Sequence, residues 1–206
     1  KTDLALADLK GSADMAEISG LWLSPRSDAT LTAFSLTQPG NVKITLEGLT
    51  TATELAGDDL QTLSTRYQIK VATLNMESEE DRLALTQGNL DLSLKGLDLE
   101  GYQTLQAASS KRVDEAAIQE ALDKMLQRGA TLELADLSAR LNGEPVSLQG
   151  EAKLASTTLA QLMGSEEGMQ ALSGLLHAHL GEKLGQAVPQ LAPQLAHCTA
   201  MGYLKA

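Results

Sequence analysis

The residues best suited to chemistry are three histidines and one cysteine in the last thirty or so positions. His177 and His179 lie two apart in a segment whose pattern predicts a helix, so their side chains are expected to point roughly 200° apart. Two histidines that share a metal ion from one helix need a spacing of four, as in zinc proteases. A metal site would therefore need His177 to meet His197 and Cys198. The alternative is a surface histidine, a partly buried histidine and a cysteine that acts as a small apolar residue.

Cys198 is also a candidate nucleophile, which would need a general base and an orienting group. His197 precedes it directly, but adjacent residues on a helix point about 100° apart. The sequence contains no nucleophile elbow, phosphate-binding glycine loop or dinucleotide-binding fingerprint. A hydrolase or metal enzyme built on these residues is therefore the least favoured hypothesis.

Acidic residues cluster at positions 58–59, 79–81 and 166–167. Paired carboxylates can perform acid–base catalysis where burial separates their pKa values. These clusters lie in polar, turn-like contexts, which are typical of solvated loops and helix starts, and they lack the spacing of a calcium loop. The sequence therefore predicts no catalytic, metal-binding or cofactor-binding residue, and no cofactor.

The composition narrows the possible partners. The formal charge is −11 and no basic run is present, which argues against nucleic acid and against direct binding of anionic lipid headgroups. No apolar run approaches the ~20 residues of a membrane span, and the sequence begins without a signal peptide. Because the sequence begins abruptly at Lys1 inside a strand-like pattern, we expect a fragment of a longer protein.

Alternating apolar residues predict most of the structure to be strands. Segments Val42–Leu46, Tyr67–Met76 and Leu83–Leu94 fit an antiparallel meander with one face in water. Asn142-Gly143 is a strong hairpin signal, which predicts that Thr131–Leu141 pairs with Pro145–Leu154.

Two later segments have the spacing of amphipathic helices. The first follows Asp114, and the second is expected to run from about Ser156 through Ser165 to Leu180. The predicted fold class is α+β: a twisted, curved antiparallel β-sheet with amphipathic helices packed on one face. Their apolar stripes are either core or one wall of an apolar groove for acyl chains. The groove candidates are Ile118, Leu122, Met125, Met169, Leu172, Leu176 and Leu180.

A similar passage from strand through glycine to helix occurs twice, at 83–105 and 146–163. We therefore predict a single α+β domain over 1–206, with a possible two-repeat organisation of about 1–128 and 129–206. Exposed edge strands make a homodimer possible.

Four segments resemble the YdgA-like family of bacterial envelope proteins of unknown function. They read VKITLEGLTTATEL, YQIKVATLNM, LTQGNLDLSLKGLDLEGYQTLQ and ATLELADLSARLNGEPVSLQGEAKL. In that family a strand-rich stretch leads through a similar glycine passage into a helix that begins near an aromatic residue, here Tyr102. The resemblance implies a periplasmic location in a Gram-negative envelope, with membrane attachment only through an N-terminal inner-membrane anchor that is absent from this sequence. It carries over no catalytic residue.

Together these observations predict a non-enzymatic periplasmic protein of unknown role that acts as a binding or interaction module. Its partner is expected to be either an unknown protein or an apolar ligand. The more specific alternative is a lipid-binding groove between the sheet and the helices.

Overall fold

The computed structural model describes residues 2–18, 21–39, 42–57, 61–79, 81–109, 115–156 and 172–200. Within these ranges the chain forms ten strands, four α-helices and one 3-10 helix. The strands are β1 (Asp3–Ala13), β2 (Ala16–Ile18), β3 (Leu21–Leu23), β4 (Arg26–Gln38), β5 (Val42–Gly57), β6 (Thr62–Glu77), β7 (Arg82–Asp98), β8 (Ala130–Leu141), β9 (Glu144–Leu154) and β10 (Leu172–Leu180). The helices are α1 (Leu99–Ser109), α2 (Glu115–Leu126), α3 (Leu184–Ala187), the 3-10 helix Pro189–Leu191, and α4 (Ala192–Ala200).

Eight of the strands form one antiparallel sheet in the order β1-β4-β5-β6-β7-β8-β9-β10, and β2 and β3 form a separate hairpin. The predicted meander is confirmed, because β5, β6 and β7 pair in succession. The predicted hairpin is confirmed as well, because Leu141 pairs with Glu144 across Asn142-Gly143. Both turn residues have positive φ, 48° and 89°, as a two-residue hairpin turn of this kind requires.

The sheet has one apolar and one polar face. Residues paired across antiparallel strands point to the same side, so rows of paired apolar residues show where the apolar face lies. One row of such pairs crosses six strands, and a second crosses five. The first row contains Leu6, Phe34, Leu46, Leu74, Leu85 and Leu141. The second row contains Tyr67, Leu92, Leu134, Gly150 and Leu176. Lysine, arginine, aspartate, glutamate and threonine side chains occupy much of the opposite side.

Along each of several neighbouring strands, the alternation of apolar and polar residues reverses at one position. These positions lie side by side and form one row across the sheet, and the apolar face depends on this row. In β5 the valine, isoleucine and leucine residues are even-numbered up to Leu46 and odd-numbered from Leu49, with Gly48 between them at φ +61°. Asp8 in β1 and Gln87 in β7 also have positive φ and lie in the same row. A side chain at Gly88 would meet Leu85 Cδ2 at 2.9 Å, which shows that residues on both sides of the row share one face. The reversal therefore keeps the aliphatic side chains on a single side.

Helices α1 and α2 pack against one end of the apolar face, which we call the helical end. The buried cluster there includes Leu63, Leu97 and Met125, which are 0%, 2% and 8% exposed. Asp98 precedes α1, and its carboxylate accepts hydrogen bonds from the Gly101 amide at 2.9 Å and from Arg128 Nε at 2.6 Å. These contacts fix the helices to the strand ends.

The predicted fold class was wrong. Of the residues that the structure describes, 66% lie in strands and 21% in helices, and these helices do not form a layer over the sheet. The carboxyl-terminal part of the second predicted helix, Leu172–Leu180, is instead strand β10, which pairs with β9. A leucine at every fourth position fits a helical face and a strand face equally well, and pairing with β9 decides between them. The predicted helical stretch from 157 to 171, including Met169, lies outside the described residues.

The open arrangement leaves much surface in contact with water. The chain exposes 13282 Å², whereas a compact monomer of its 21.8 kDa exposes about 9300 Å². Among the described helices, none has the length and apolar character needed to cross a membrane. Among the described residues, apolar side chains of the sheet contribute to this surface, for example Leu6 and Leu176, which are 56% and 62% exposed.

Candidate ligand-binding groove

A groove crosses the apolar face on strands β7 to β10, beside the helical end. Its volume is about 370 Å³, within the range of small-molecule sites. The residues that line it are Leu92, Leu132, Leu134, Gly150, Glu151, Ala152, Gly174, Leu175 and Leu176. Aliphatic side chains and glycine backbone therefore make up nearly all of its surface.

The floor of the groove is made of small residues, because the backbone of the neighbouring strand leaves no room for larger side chains at the glycines. A Cβ atom at Gly150 would lie 2.5 Å from the carbonyl oxygen of Leu175, and one at Gly174 would collide with the carbonyl oxygen of Glu151. Ala152 pairs directly with Gly174. Because larger side chains are excluded at the glycines, a bound molecule can approach the backbone closely between the leucine walls.

The apolar surface continues beyond the groove toward β1. Leu132 and Leu176 at the groove are 41% and 62% exposed, and Leu6 and Leu9 on β1 are 56% and 66% exposed. At a strand spacing of ~4.8 Å, the seven intervals from β1 to β10 span about 34 Å. Isolated exposed leucines need no explanation, but a contiguous apolar surface of this extent among the described residues is typical of interaction sites.

The polar face carries ion pairs. Arg66 donates to the Asp91 carboxylate at 2.8 and 2.5 Å, and Gln68 donates to it at 3.0 Å. The hydrogen bonds from Arg66 hold the pKa of Asp91 below its ordinary value despite partial burial, and Asp91 raises the pKa of Arg66. Lys95 pairs with Glu133 in the same depression. These charges neutralise one another, so the arrangement favours structural ion pairs over a poised acid or base.

The structure changes the interpretation of the histidines. His177 and His179 lie on β10, where residues two apart share a face, so the prediction that they point in different directions was wrong. Both are exposed and pair in register with Gln149 and Ser147 of β9. His197 is exposed on α4, a separate element.

Cys198 directly follows His197 within α4. Within the described part of one chain, no group of three or more histidine, cysteine, aspartate or glutamate residues has the geometry to hold a metal ion.

The predicted groove residues fall into three groups. Leu122 and Met125 belong to the packed helical end, with Ile118 half-buried on the same helix. Leu176 lines the groove, while Leu172 and Leu180 begin and end β10. Met169 is outside the described residues. Whether any of these residues binds a ligand stays a prediction.

Sequence reasoning did not single out the leucines of β7 and β8 or the glycine floor as a site. Leu92, Leu132 and Leu134 are visible in the sequence as alternating strand residues. Their role depends on Gly150 and Gly174 lying beside them, which follows from the pairing of β8, β9 and β10. Only the strand alternation could have indicated this part of the groove.

The sequence matches a known protein-family model. The model of a protein family described as "Bacterial protein of unknown function (DUF945)" matches residues 1–195. No curated protein and no solved structure matches the chain. The match supports a bacterial family of unknown function, and the YdgA-like name stays a prediction.

Proposed function

The chain belongs to DUF945, a bacterial family of unknown function, and we propose that it is a non-enzymatic binding module of the cell envelope that holds an acyl chain on its apolar sheet face. The observation that carries this proposal is the groove on strands β7 to β10, with its leucine walls and glycine floor. The periplasmic location and the membrane anchor rest on the resemblance of the sequence to envelope proteins.

The chemistry of the face favours a flexible aliphatic ligand. Protein interfaces are typically anchored by tryptophan, tyrosine and arginine. Among the described residues of the apolar face, Phe34 and Tyr67 are the aromatic ones, and the remainder is mostly leucine, isoleucine, valine and methionine. Such a surface suits a chain that adapts its conformation along a shallow trough. An unknown protein partner remains the second candidate because the apolar surface extends beyond the groove.

The net charge supports binding through the acyl chain rather than through the headgroup. A chain with a formal charge of −11 repels anionic lipid surfaces, so affinity has to come from apolar contact. Burying about ten methylene groups contributes about 8 kcal/mol, at ~0.8 kcal/mol each. Before the cost of immobilising the ligand is subtracted, that corresponds to micromolar affinity.

The test is the binding of cis-parinaric acid, a fluorescent fatty acid, to the purified chain. Ala152→Trp fills the groove floor and is expected to weaken binding at least tenfold. Ser173→Trp places the same side chain on the polar face of the neighbouring strand, because Ser173 pairs with Lys153, and it should bind like the wild type. Circular dichroism establishes that both variants fold.

Mass spectrometry of organic extracts from the purified protein provides an independent readout and should detect co-purified lipid. The proposal is wrong if the wild-type chain binds no fatty acid. It is also wrong if Ala152→Trp binds as tightly as the wild type, or if both tryptophan variants lose binding equally. Recovery of a specific protein from envelope extracts, without any lipid, would favour the second candidate.

A further inference from the structure

Strand β10 forms one edge of the sheet that the described residues build. It pairs with β9, and no other strand among the described residues pairs with it. The residues after β10 are held at the β8–β9 hairpin turn: the Gly181 amide donates to the Pro145 carbonyl at 2.7 Å, and Asn142 Nδ2 donates to the Ala187 carbonyl at 2.5 Å. Within this described part of the chain, no strand is paired with the outer backbone groups of β10, and such an edge can pair with a strand of another chain.

Two imidazoles stand next to this edge on the same face. His177 and His179 are both exposed, and at ~3.4 Å of rise per residue their Cα atoms are about 7 Å apart. Histidine nitrogen is a common ligand of zinc, which in protein sites is usually held by four ligands in tetrahedral geometry. One chain provides two such ligands here, so the remaining ligands have to come from elsewhere.

The sequence of β10 is self-complementary about Ala178. Antiparallel pairing of two copies centred on this residue places His177 opposite His179 of the second copy, and the reverse. Cβ atoms of directly opposite residues are then ~4.5–5.5 Å apart. On the other face, Leu176 lies opposite Leu180 of the second copy, so apolar residues meet apolar residues across the junction.

We propose that a zinc ion joins two copies of this chain edge to edge through the four imidazoles of His177 and His179. Each imidazole contributes one unprotonated nitrogen at ~2.0–2.1 Å, which completes a tetrahedral site. Backbone hydrogen bonds between the two β10 strands add to the association. The proposal does not depend on fatty-acid binding, although such a dimer would make the two apolar faces continuous.

The test measures molar mass by light scattering after size-exclusion chromatography of the 206-residue chain without a histidine tag. With one equivalent of ZnCl2 per two chains, the wild type is expected to run as a dimer and to return to a monomer after EDTA. His177→Ala and His179→Ala should stay monomeric and lose at least about tenfold in zinc affinity. His197→Ala removes the exposed histidine on α4 and should behave like the wild type.

Substituting Co2+ for zinc gives a second readout, because tetrahedral cobalt has a strong visible absorption that octahedral cobalt lacks. The proposal fails if the wild type stays monomeric with zinc, or if it dimerises equally well in EDTA. It also fails if either β10 variant dimerises with zinc like the wild type, or if His197→Ala abolishes dimerisation.

Discussion

Replacing Gly48 by alanine tests the row where the strand alternation reverses. Gly48 has φ +61°, and an added Cβ would lie 2.8 Å from the Cβ of Ala72 on the neighbouring strand. Carbon atoms pack best at ~3.5–4.0 Å, so the two methyl groups would overlap. The substitution therefore combines backbone strain with a steric collision, and the two effects can be measured separately.

The magnitudes follow from these two effects. The left-handed conformation costs a non-glycine residue about 1–2 kcal/mol, and overpacking costs about 1–3 kcal/mol. Gly48→Ala is therefore expected to lower the free energy of unfolding by about 2–5 kcal/mol. Gly143 is the matched control, because it has φ +89° but nothing within 4 Å of an added Cβ. Gly143→Ala should cost only the strain of about 1–2 kcal/mol.

Urea denaturation followed by circular dichroism measures both variants. The double variant Gly48→Ala with Ala72→Gly removes the overlap and should recover about 1–3 kcal/mol relative to the sum of the single changes. Equal losses at Gly48 and Gly143, together with additive behaviour in the double variant, would refute the close approach of β5 and β6 at this row. The account of a single apolar face maintained by this row would then need revision.

Three further changes test the two ends of the sheet, each by urea denaturation. Asp98→Ala should cost about 1–2 kcal/mol at neutral pH by removing the α1 cap. Burial raises the pKa of Asp98, but hydrogen bonds from Gly101 and Arg128 outweigh it and leave the pKa below 3.8. The contribution of Asp98 is therefore complete above pH 3.8 and declines as the pH falls through the lower folded value, so wild type and variant should converge in acid. A constant difference would contradict this. Asn142→Gly keeps the positive φ but removes the bonds to the Ala84 amide and the Ala187 carbonyl, so a loss of about 1–3 kcal/mol is expected. No loss would show that these bonds are not stabilising. Met125→Ala should cost about 2–5 kcal/mol, since the side chain is 8% exposed, and a loss under about 1 kcal/mol would argue against the packed helical end.

The sequence predicted the local structure well where a pattern has only one interpretation. Val42, Ile44 and Leu46 alternate with charged residues, and such a segment can bury one side only as a strand. Asn142-Gly143 specified the β8–β9 hairpin because few other residue pairs accept two successive positive φ values. The prediction of a helix over the second amphipathic segment was wrong because leucines at 172, 176 and 180 fit both the helix period and the strand period. The strand with which this segment pairs, β9, is distant in sequence.

The candidate groove was less accessible from sequence than the strands that form it. Leu92 and Leu134 could be assigned to the apolar side of their strands. No local sequence pattern, however, indicates that Gly150 pairs with Leu176 beside them. Whether the helices cover the sheet also depends on tertiary packing, which the sequence pattern does not reveal. Leu122 and Met125 do form an apolar stripe, yet they pack at one end of the sheet.

The sequence by itself determined which residues alternate, where the β8–β9 chain turns, and that the surface is strongly acidic. Only the tertiary structure decided that β10 is a strand, that His177 and His179 share a face, and that the positive-φ residues of β1, β5 and β7 align in one row. The physical reason is that alternation is a property of neighbouring residues, whereas register, edge exposure and the cover on a face arise from pairing between residues far apart in the chain.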